Sequence, residues 1–130
     1  MYFLKGRVIT GVRHFTNRMT KYPEVFQKAT GEILFPGTIN VQVDKSTLVK
    51  EHFRIRGIDI DEPEQDLLFE ICKINQIWAY RIRPYNLRNG SGGHGDNILE
   101  ISSAEKIQNV LVDSYVEIAL FRDDLKNSIR

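Results

Sequence analysis

Thr38 and Asn40 are the residues whose types and spacing best suit chemistry. They lie two positions apart, directly after the turn residues Pro36 and Gly37. A hydroxyl and an amide carbonyl are hard oxygen donors, so together they could share Mg²⁺ with a phosphate-bearing substrate. Alternatively, the two side chains only form the solvated face of a strand. The spacing alone leaves both interpretations open.

Two further positions could contact a ligand. A basic loop opens at Gly11 and carries Arg13, His14 and Arg18, which could meet an anion or simply be solvated. Glu100 lies on a predicted strand beside a glycine-rich loop, where a carboxylate could bind a ligand hydroxyl or act as a base. Glu100 could equally be an ordinary exposed strand residue.

The glycine-rich loop at 85–96 could let backbone N–H groups approach a phosphate. It lacks the Gly-Lys-Ser/Thr ending of a nucleotide P-loop, and it leads into a strand rather than a helix. A surface loop or a lid over a site is the alternative.

Several kinds of site are excluded by spacing. The three histidines are far apart and Cys72 is alone, so the sequence has no zinc-binding pattern. It has neither a Gly-x-Ser-x-Gly nucleophile turn nor a Cys/His nucleophile context. The acidic run at 59–66 does not match a calcium-binding loop.

The elements that must position these residues are mostly strands. Ile39, Val41 and Val43 alternate with polar residues, which predicts a strand with one apolar face. Runs at 67–74 and 77–83 predict a hairpin that Pro84 ends, with Trp78 and Tyr80 in the core. Further strands are expected at 3–10, 97–102 and 115–121.

Helices are predicted at two places and considered at a third. Tyr22, Val25, Phe26 and Ala29 share one face of a helix that Gly31 ends. The series Ser102-Ser103-Ala104-Glu105 matches a capping box, so a second helix is expected to begin there. Residues 44–53 could hold a third.

This content predicts a mainly β fold, a small closed or nearly closed barrel with two or three short helices. The 130 residues suit a single domain, 1–130, with a core at about 3–121 and a charged tail at 122–130.

Charge and composition limit the partners. Lys+Arg 18 against Asp+Glu 17 gives a net charge of +1, which speaks against a nucleic-acid partner. The sequence shows neither a transmembrane run nor a signal peptide, so we expect no membrane partner. The single cysteine, Cys72, favours a reducing, cytoplasmic location.

The order of these features resembles the archaeal-type CTP-dependent riboflavin kinases. The shared features are the Gly-opened basic loop, Tyr-x-x-x-Phe in a helix, Pro-Gly-Thr-x-Asn-x-x-Val, Arg-Pro at a hairpin end, and Leu-Glu-Ile. The likeness runs from about Gly6 to Phe121, and Phe35–Val41 is its most specific part. It implies a six-stranded cradle-loop barrel that transfers the γ-phosphate of CTP to riboflavin, giving FMN and CDP.

The resemblance also implies roles for individual residues. Thr38 and Asn40 would bind Mg²⁺, Glu100 would be catalytic and face the flavin, and His94 would be a second flavin contact. The implied nucleotide-binding residues are Gly11, Val12, Arg13, His14, Phe15, Thr16, Glu105, Lys106, Ile107 and Gln108.

The chain departs from the family pattern in its loops. The family's first loop has the form Gly-x-Gly-x-Gly, whereas here only Gly11 is kept. The family's Ala-Pro after the flavin-side strand is replaced by Ser102-Ser103. A Thr is lost after Pro84, and a glycine insertion follows.

Three functions therefore follow from the sequence. The first is a Mg²⁺-dependent riboflavin kinase-like phosphotransferase that uses CTP or another nucleotide. The alternative is a non-catalytic nucleotide- or flavin-binding module on the same barrel. A DNA-binding regulator, a class found among related barrels, is disfavoured by the near-neutral charge. We expect small-molecule substrates, and a monomer or small homo-oligomer.

Overall fold

The computed structural model describes residues 1–10, 15–90, 96–107 and 110–123. These residues form two α-helices, a short 3-10 helix at Gly57–Ile60 and seven strands. The helices are α1 (Thr16–Lys21) and α2 (Pro23–Thr30). The strands are β1 (Tyr2–Ile9), β2 (Ile39–Thr47), β3 (Phe53–Ile55), β4 (Gln65–Ile74), β5 (Ile77–Asn86), β6 (Asp96–Ser102) and β7 (Tyr115–Leu120).

Six of the strands close into an antiparallel barrel in the order β4-β5-β6-β2-β1-β7. The barrel closes where β7 pairs back onto β4, with Cys72 opposite Leu120 and Ile74 opposite Ile118. The additional strand, β3, pairs with another part of β4. Closure leaves few unpaired edges. The predicted mainly β, six-stranded barrel is confirmed.

The barrel interior is filled by alternate strand residues, because successive side chains of a strand point to opposite faces. Val41 of β2 and Leu99 of β6 are fully buried there. Their neighbours Asn40 and Glu100 therefore face outward. The other interior residues include Leu4, Val8, Val43, Cys72, Ile74, Ala79, Ile101, Val116, Ile118 and Leu120.

A second apolar core lies outside the barrel, between the helices and strands β3 to β5. Phe26 of α2 contacts Phe69 edge-on, with ring centroids 6.2 Å apart. Helix α2 confirms the predicted helix: Pro23 lies in its first turn, and Gly31 ends it in the left-handed region at φ 78°. Helix α1 lies in a stretch that sequence reasoning assigned to a loop.

The helix expected after Ser102 is absent from the described residues 103–107 and 110–114. Ser102 remains in β6, opposite Tyr80. The Ser103 hydroxyl donates to the Glu105 carbonyl, a local bond that competes with helical backbone pairing. The Phe35 N–H donates to the Ser103 carbonyl at 2.8 Å. The capping-box interpretation is therefore wrong for these residues.

Three other expectations are also wrong. Strand β2 continues to Thr47, where a helix at 44–53 was considered. Pro84 does not end β5, which continues to Asn86. Pro84 lies beyond Tyr80–Ile82, the residues of β5 that pair with β6, and proline is tolerated at the margins of a sheet. Trp78 is 55% exposed and stacks on Phe121, because the interior positions of β5 fall on Ala79 and Arg81.

A buried ion cluster is the least expected part of the interior. The Glu70 carboxylate lies 3.5 Å from Arg81 Nη1 and 3.2 Å from Arg122 Nε, and all three side chains are almost fully buried. Arg81 Nη2 donates to the Thr47 carbonyl at 2.9 Å. Burial raises the pKa of the Glu70 carboxyl, and the charges of Arg122 and Arg81 oppose that rise. The cluster thus depends on all three groups being present.

We expect Glu70→Gln to lower the free energy of unfolding by about 3 kcal/mol, because it removes the charged carboxylate that lies against two buried guanidinium groups. Denaturant unfolding followed by circular dichroism measures the change. Glu64→Gln is the matched control, since its pair with Arg88 is exposed on both sides and should matter by less than about 1 kcal/mol. Equal effects of the two substitutions would contradict this account of the cluster.

Candidate functional site

The register between β2 and β6 brings the predicted metal and catalytic residues together. Asn40 lies directly opposite Glu100, and opposed residues have Cβ atoms about 5 Å apart. Both face the outside of the barrel, where Asn40 is 9% exposed. An amide and a carboxylate distant in sequence are thus neighbours on one surface.

The same register places Thr38 and Ser102 at the end of this strand pair. Ile39 lies opposite Ile101, so the preceding Thr38 and the following Ser102 face each other one step further along. Both line a cleft of about 320 Å³. Asn40 and Glu100 adjoin that cleft without forming its wall.

The walls of the cleft come from three segments. One is the turn at 35–37 leading into Thr38, the second is the segment 101–107 with Val110, and the third is the single residue Thr16 of α1. The wall carries the polar side chains of Thr16, Thr38, Ser102, Ser103, Glu105 and Lys106. It also carries apolar side chains, Phe35, Ile39, Ile101, Ile107 and Val110 among them, so the cleft offers a ligand both polar and apolar contacts.

The turn before Thr38 is held in place by α1. Gly37 has φ 106°, in the region that side chains resist. Its N–H donates to Met19 Sδ at 3.4 Å, and a Cβ at Gly37 would lie 3.3 Å from Thr16 Oγ1. Helix α1, which sequence reasoning missed, therefore fixes the position of the predicted metal ligand.

The predicted nucleotide-binding residues have different positions. Thr16, Glu105, Lys106 and Ile107 all line the cleft. Phe15 is 2% exposed in the outer core, so its ring does not face the cleft. Gly11, Val12, Arg13, His14, Gln108 and the predicted flavin contact His94 lie outside the described residues.

The donor set at Thr38 and Asn40 fits a hard divalent cation. In the described part of the chain, neither side chain makes a hydrogen bond, so both oxygens remain available. Mg²⁺ usually keeps several waters and takes further oxygens from substrate phosphates. Across residues 1–10, 15–90, 96–107 and 110–123, no group of three or more His, Cys, Asp or Glu side chains is arranged to hold a metal. A site there would therefore depend on neutral oxygens.

Sequence reasoning missed Ser102 and Ser103 as parts of the site. Ser102 was assigned both to the last position of the strand at 97–102 and to the start of a helix, and the alternation of β6 places it on the same face as Glu100. That alternation, extended two residues beyond Glu100, was the signal that could have found it.

Comparison with curated proteins shows a distant likeness. A curated riboflavin kinase of Staphylothermus marinus is 24% identical to this chain over 124 residues, which are 93% of each protein. No family model matches the chain. The described residues contain no helix with the length and apolar character needed to cross a membrane.

The resemblance described above implies a ligand of CDP with Mg²⁺. We expect Gly37→Ala to destabilise the turn and to weaken the binding of that ligand, measured by isothermal titration calorimetry. A side chain at φ 106° is strained, at a cost of about 1–2 kcal/mol, and the new Cβ also meets Thr16.

The matched control is Gly31→Ala. Gly31 has φ 78° and open space around its Cβ position, so it suffers a similar backbone strain away from the cleft. It should lower stability and leave binding unchanged. Equal losses of affinity in both variants would contradict the assigned role of the turn.

Proposed function

We propose that this protein is a Mg²⁺-dependent phosphotransferase of the riboflavin kinase type, which converts riboflavin and CTP, or another nucleotide, into FMN and the nucleoside diphosphate. The observation that carries the proposal is the pairing of Asn40 with Glu100 beside a polar cleft that contains Thr38. The distant riboflavin kinase of Staphylothermus marinus supports the same activity.

Thr38 and Asn40 would hold Mg²⁺ between the protein and the nucleotide phosphates. When bound, the cation would neutralise charge on the phosphates, which is a main requirement of phosphoryl transfer. The protein's own contribution is to fix the two oxygens: Asn40 by its place within the β1–β2–β6 ladder, and Thr38 by the turn packed on α1.

The nucleotide would occupy the cleft. The ammonium group of Lys106 would contact its phosphates, and Thr16 and Glu105 would supply polar contacts along the wall. Ile107 would offer an apolar surface, and Phe15 would contribute only its backbone because its ring is in the core. Gly11, Val12, Arg13, His14 and Gln108 complete the proposed set.

Riboflavin would approach from the Glu100 side, with His94 as a further contact. The carboxylate of Glu100 would orient the terminal ribityl hydroxyl and accept its proton as the oxygen attacks the γ-phosphorus. The bond from the γ-phosphorus to the bridging oxygen would break, and CDP would leave with that oxygen. The position of Glu100 opposite Asn40 supports a role for this acceptor beside the proposed metal site.

The chain would act as one domain, 1–130, with small-molecule substrates only, as a monomer or small homo-oligomer. It would work in the cytoplasm, where the buried thiol of Cys72 would stay reduced.

We expect the purified protein to form FMN from riboflavin, CTP and Mg²⁺, and Asn40→Ala to abolish that activity. Chromatography of the fluorescent products measures it, over a panel of four nucleoside triphosphates. Gln42→Ala is the matched control: Gln42 lies on the same face two residues further along, contacts Arg7 and should be dispensable.

Failure to form FMN with every nucleotide would contradict the kinase proposal. If the protein were then stabilised in a melting assay by riboflavin or CDP, the binding-module alternative would replace it.

We expect Lys106→Ala to raise KM for the nucleotide about tenfold while changing kcat less, because an exposed ammonium contributes similarly to the bound substrate and the transition state. Steady-state kinetics with varied CTP measures both constants. Lys28→Ala, on the exposed surface of α2, should leave them unchanged. A fall in kcat with KM unaltered would show that Lys106 acts in the transition state instead.

A further inference from the structure

Ser102 is a buried polar residue that the fold does not use. It is the last residue of β6, it is 2% exposed, and its backbone lies opposite Tyr80. Among the described residues its hydroxyl has no hydrogen-bond partner. Buried hydroxyls nearly always make a hydrogen bond, so the unpaired hydroxyl of Ser102 indicates a position where a ligand could bind.

The adjacent Ser103 differs in this respect. It is 5% exposed and also lines the cleft, yet its hydroxyl donates to the Glu105 carbonyl. The two neighbouring serines are thus similarly buried, but only the hydroxyl of Ser103 makes a hydrogen bond within the described part of the protein. Burial alone does not account for the unpaired hydroxyl of Ser102.

The position of Ser102 indicates what its hydroxyl would contact. Alternation along β6 places it on the same face as Glu100, two residues away. The register that sets Ile101 opposite Ile39 sets Ser102 opposite Thr38. Thr38, Asn40, Glu100 and Ser102 therefore form a two-by-two arrangement on the outer surface of β2 and β6, with Ser102 and Thr38 at its cleft end.

We propose that the Ser102 hydroxyl is a third protein oxygen, beside those of Thr38 and Asn40, that binds the divalent cation of the nucleotide complex. The proposal rests on the proposed function, because it concerns the cation assigned there. A hydroxyl oxygen is a hard ligand suited to Mg²⁺. Ser102 holds the cation at the cleft end of the strand pair, beside the nucleotide phosphates.

The first test measures metal binding without catalysis. Mn²⁺ replaces Mg²⁺, and electron paramagnetic resonance measures free Mn²⁺ while the protein with saturating CDP is titrated. Ser102→Ala is expected to weaken Mn²⁺ binding about tenfold or more while leaving metal-free CDP binding unchanged. Ser114→Ala is the control: its hydroxyl is bonded to the backbone of Leu111 away from the cleft, so the variant should bind Mn²⁺ like the wild type.

The second test remains informative if Ser102→Ala fails to fold. Ser102→Cys places a soft sulfur at the same position, so the site should gain affinity for Cd²⁺ relative to Mg²⁺. The sulfur–cadmium absorption band measures direct ligation. Cys72 does not compete, because it is fully buried and that burial raises the pKa of its thiol.

The outcomes separate the two proposals. Ser102-dependent Mn²⁺ binding in a protein that makes no FMN would support the metal ligand and contradict the kinase. Wild-type affinity in Ser102→Ala, or no gain of cadmium binding in Ser102→Cys, would overturn the ligand role while leaving the kinase intact. A wild-type protein that binds no Mn²⁺ with CDP would overturn both.

Discussion

The register between β2 and β6 is the constraint on which the candidate site depends. Val41 and Leu99 fill the barrel interior, so Asn40 and Glu100 must lie outside it. A slip of one residue would exchange the two faces, burying an amide and a carboxylate and exposing two core residues. The apolar core thus fixes the polar surface without contacting it.

Two other features protect that register. Pairing of β7 with β4 closes the barrel, and β2 and β6 are each paired with a neighbouring strand on both sides. The buried Glu70–Arg81–Arg122 cluster ties the interior to the end of β2 remote from the cleft, because Arg81 donates to the Thr47 carbonyl. Separating these buried charges would lower the stability of the fold, so the cluster disfavours other arrangements of the strands.

Much of this arrangement could be predicted from the sequence. Alternation at 39–43 predicted β2, and Pro23 with Gly31 marked the ends of α2, because these signals are local. The Thr38–Asn40 pair was identifiable by residue type. The neighbourhood of Asn40 and Glu100 was not, since pairing of strands so far apart in the sequence depends on the whole barrel.

Two predictions failed because contacts with distant parts of the chain outweighed the local sequence pattern. Ser102 to Glu105 matched a helix start, but pairing of Ser102 in β6 and the bond from Ser103 to the Glu105 carbonyl prevailed. Trp78 was expected in the core together with Tyr80, and of the two only Tyr80 is buried, in the outer core. Arg81 lies in the barrel interior, because its guanidinium group is 3.5 Å from the buried carboxylate of Glu70, which compensates its charge.

Paramagnetic relaxation by Mn²⁺ tests the central claim, that Thr38 and Asn40 form a metal site on this register. Spectra of ¹⁵N-labelled protein with CDP would be recorded with and without substoichiometric Mn²⁺. We expect the strongest broadening at the Asn40 side-chain amide and the backbone amides of Thr38 and Ser102, with little at Trp78. Broadening centred elsewhere, or uniform over the barrel, would contradict it.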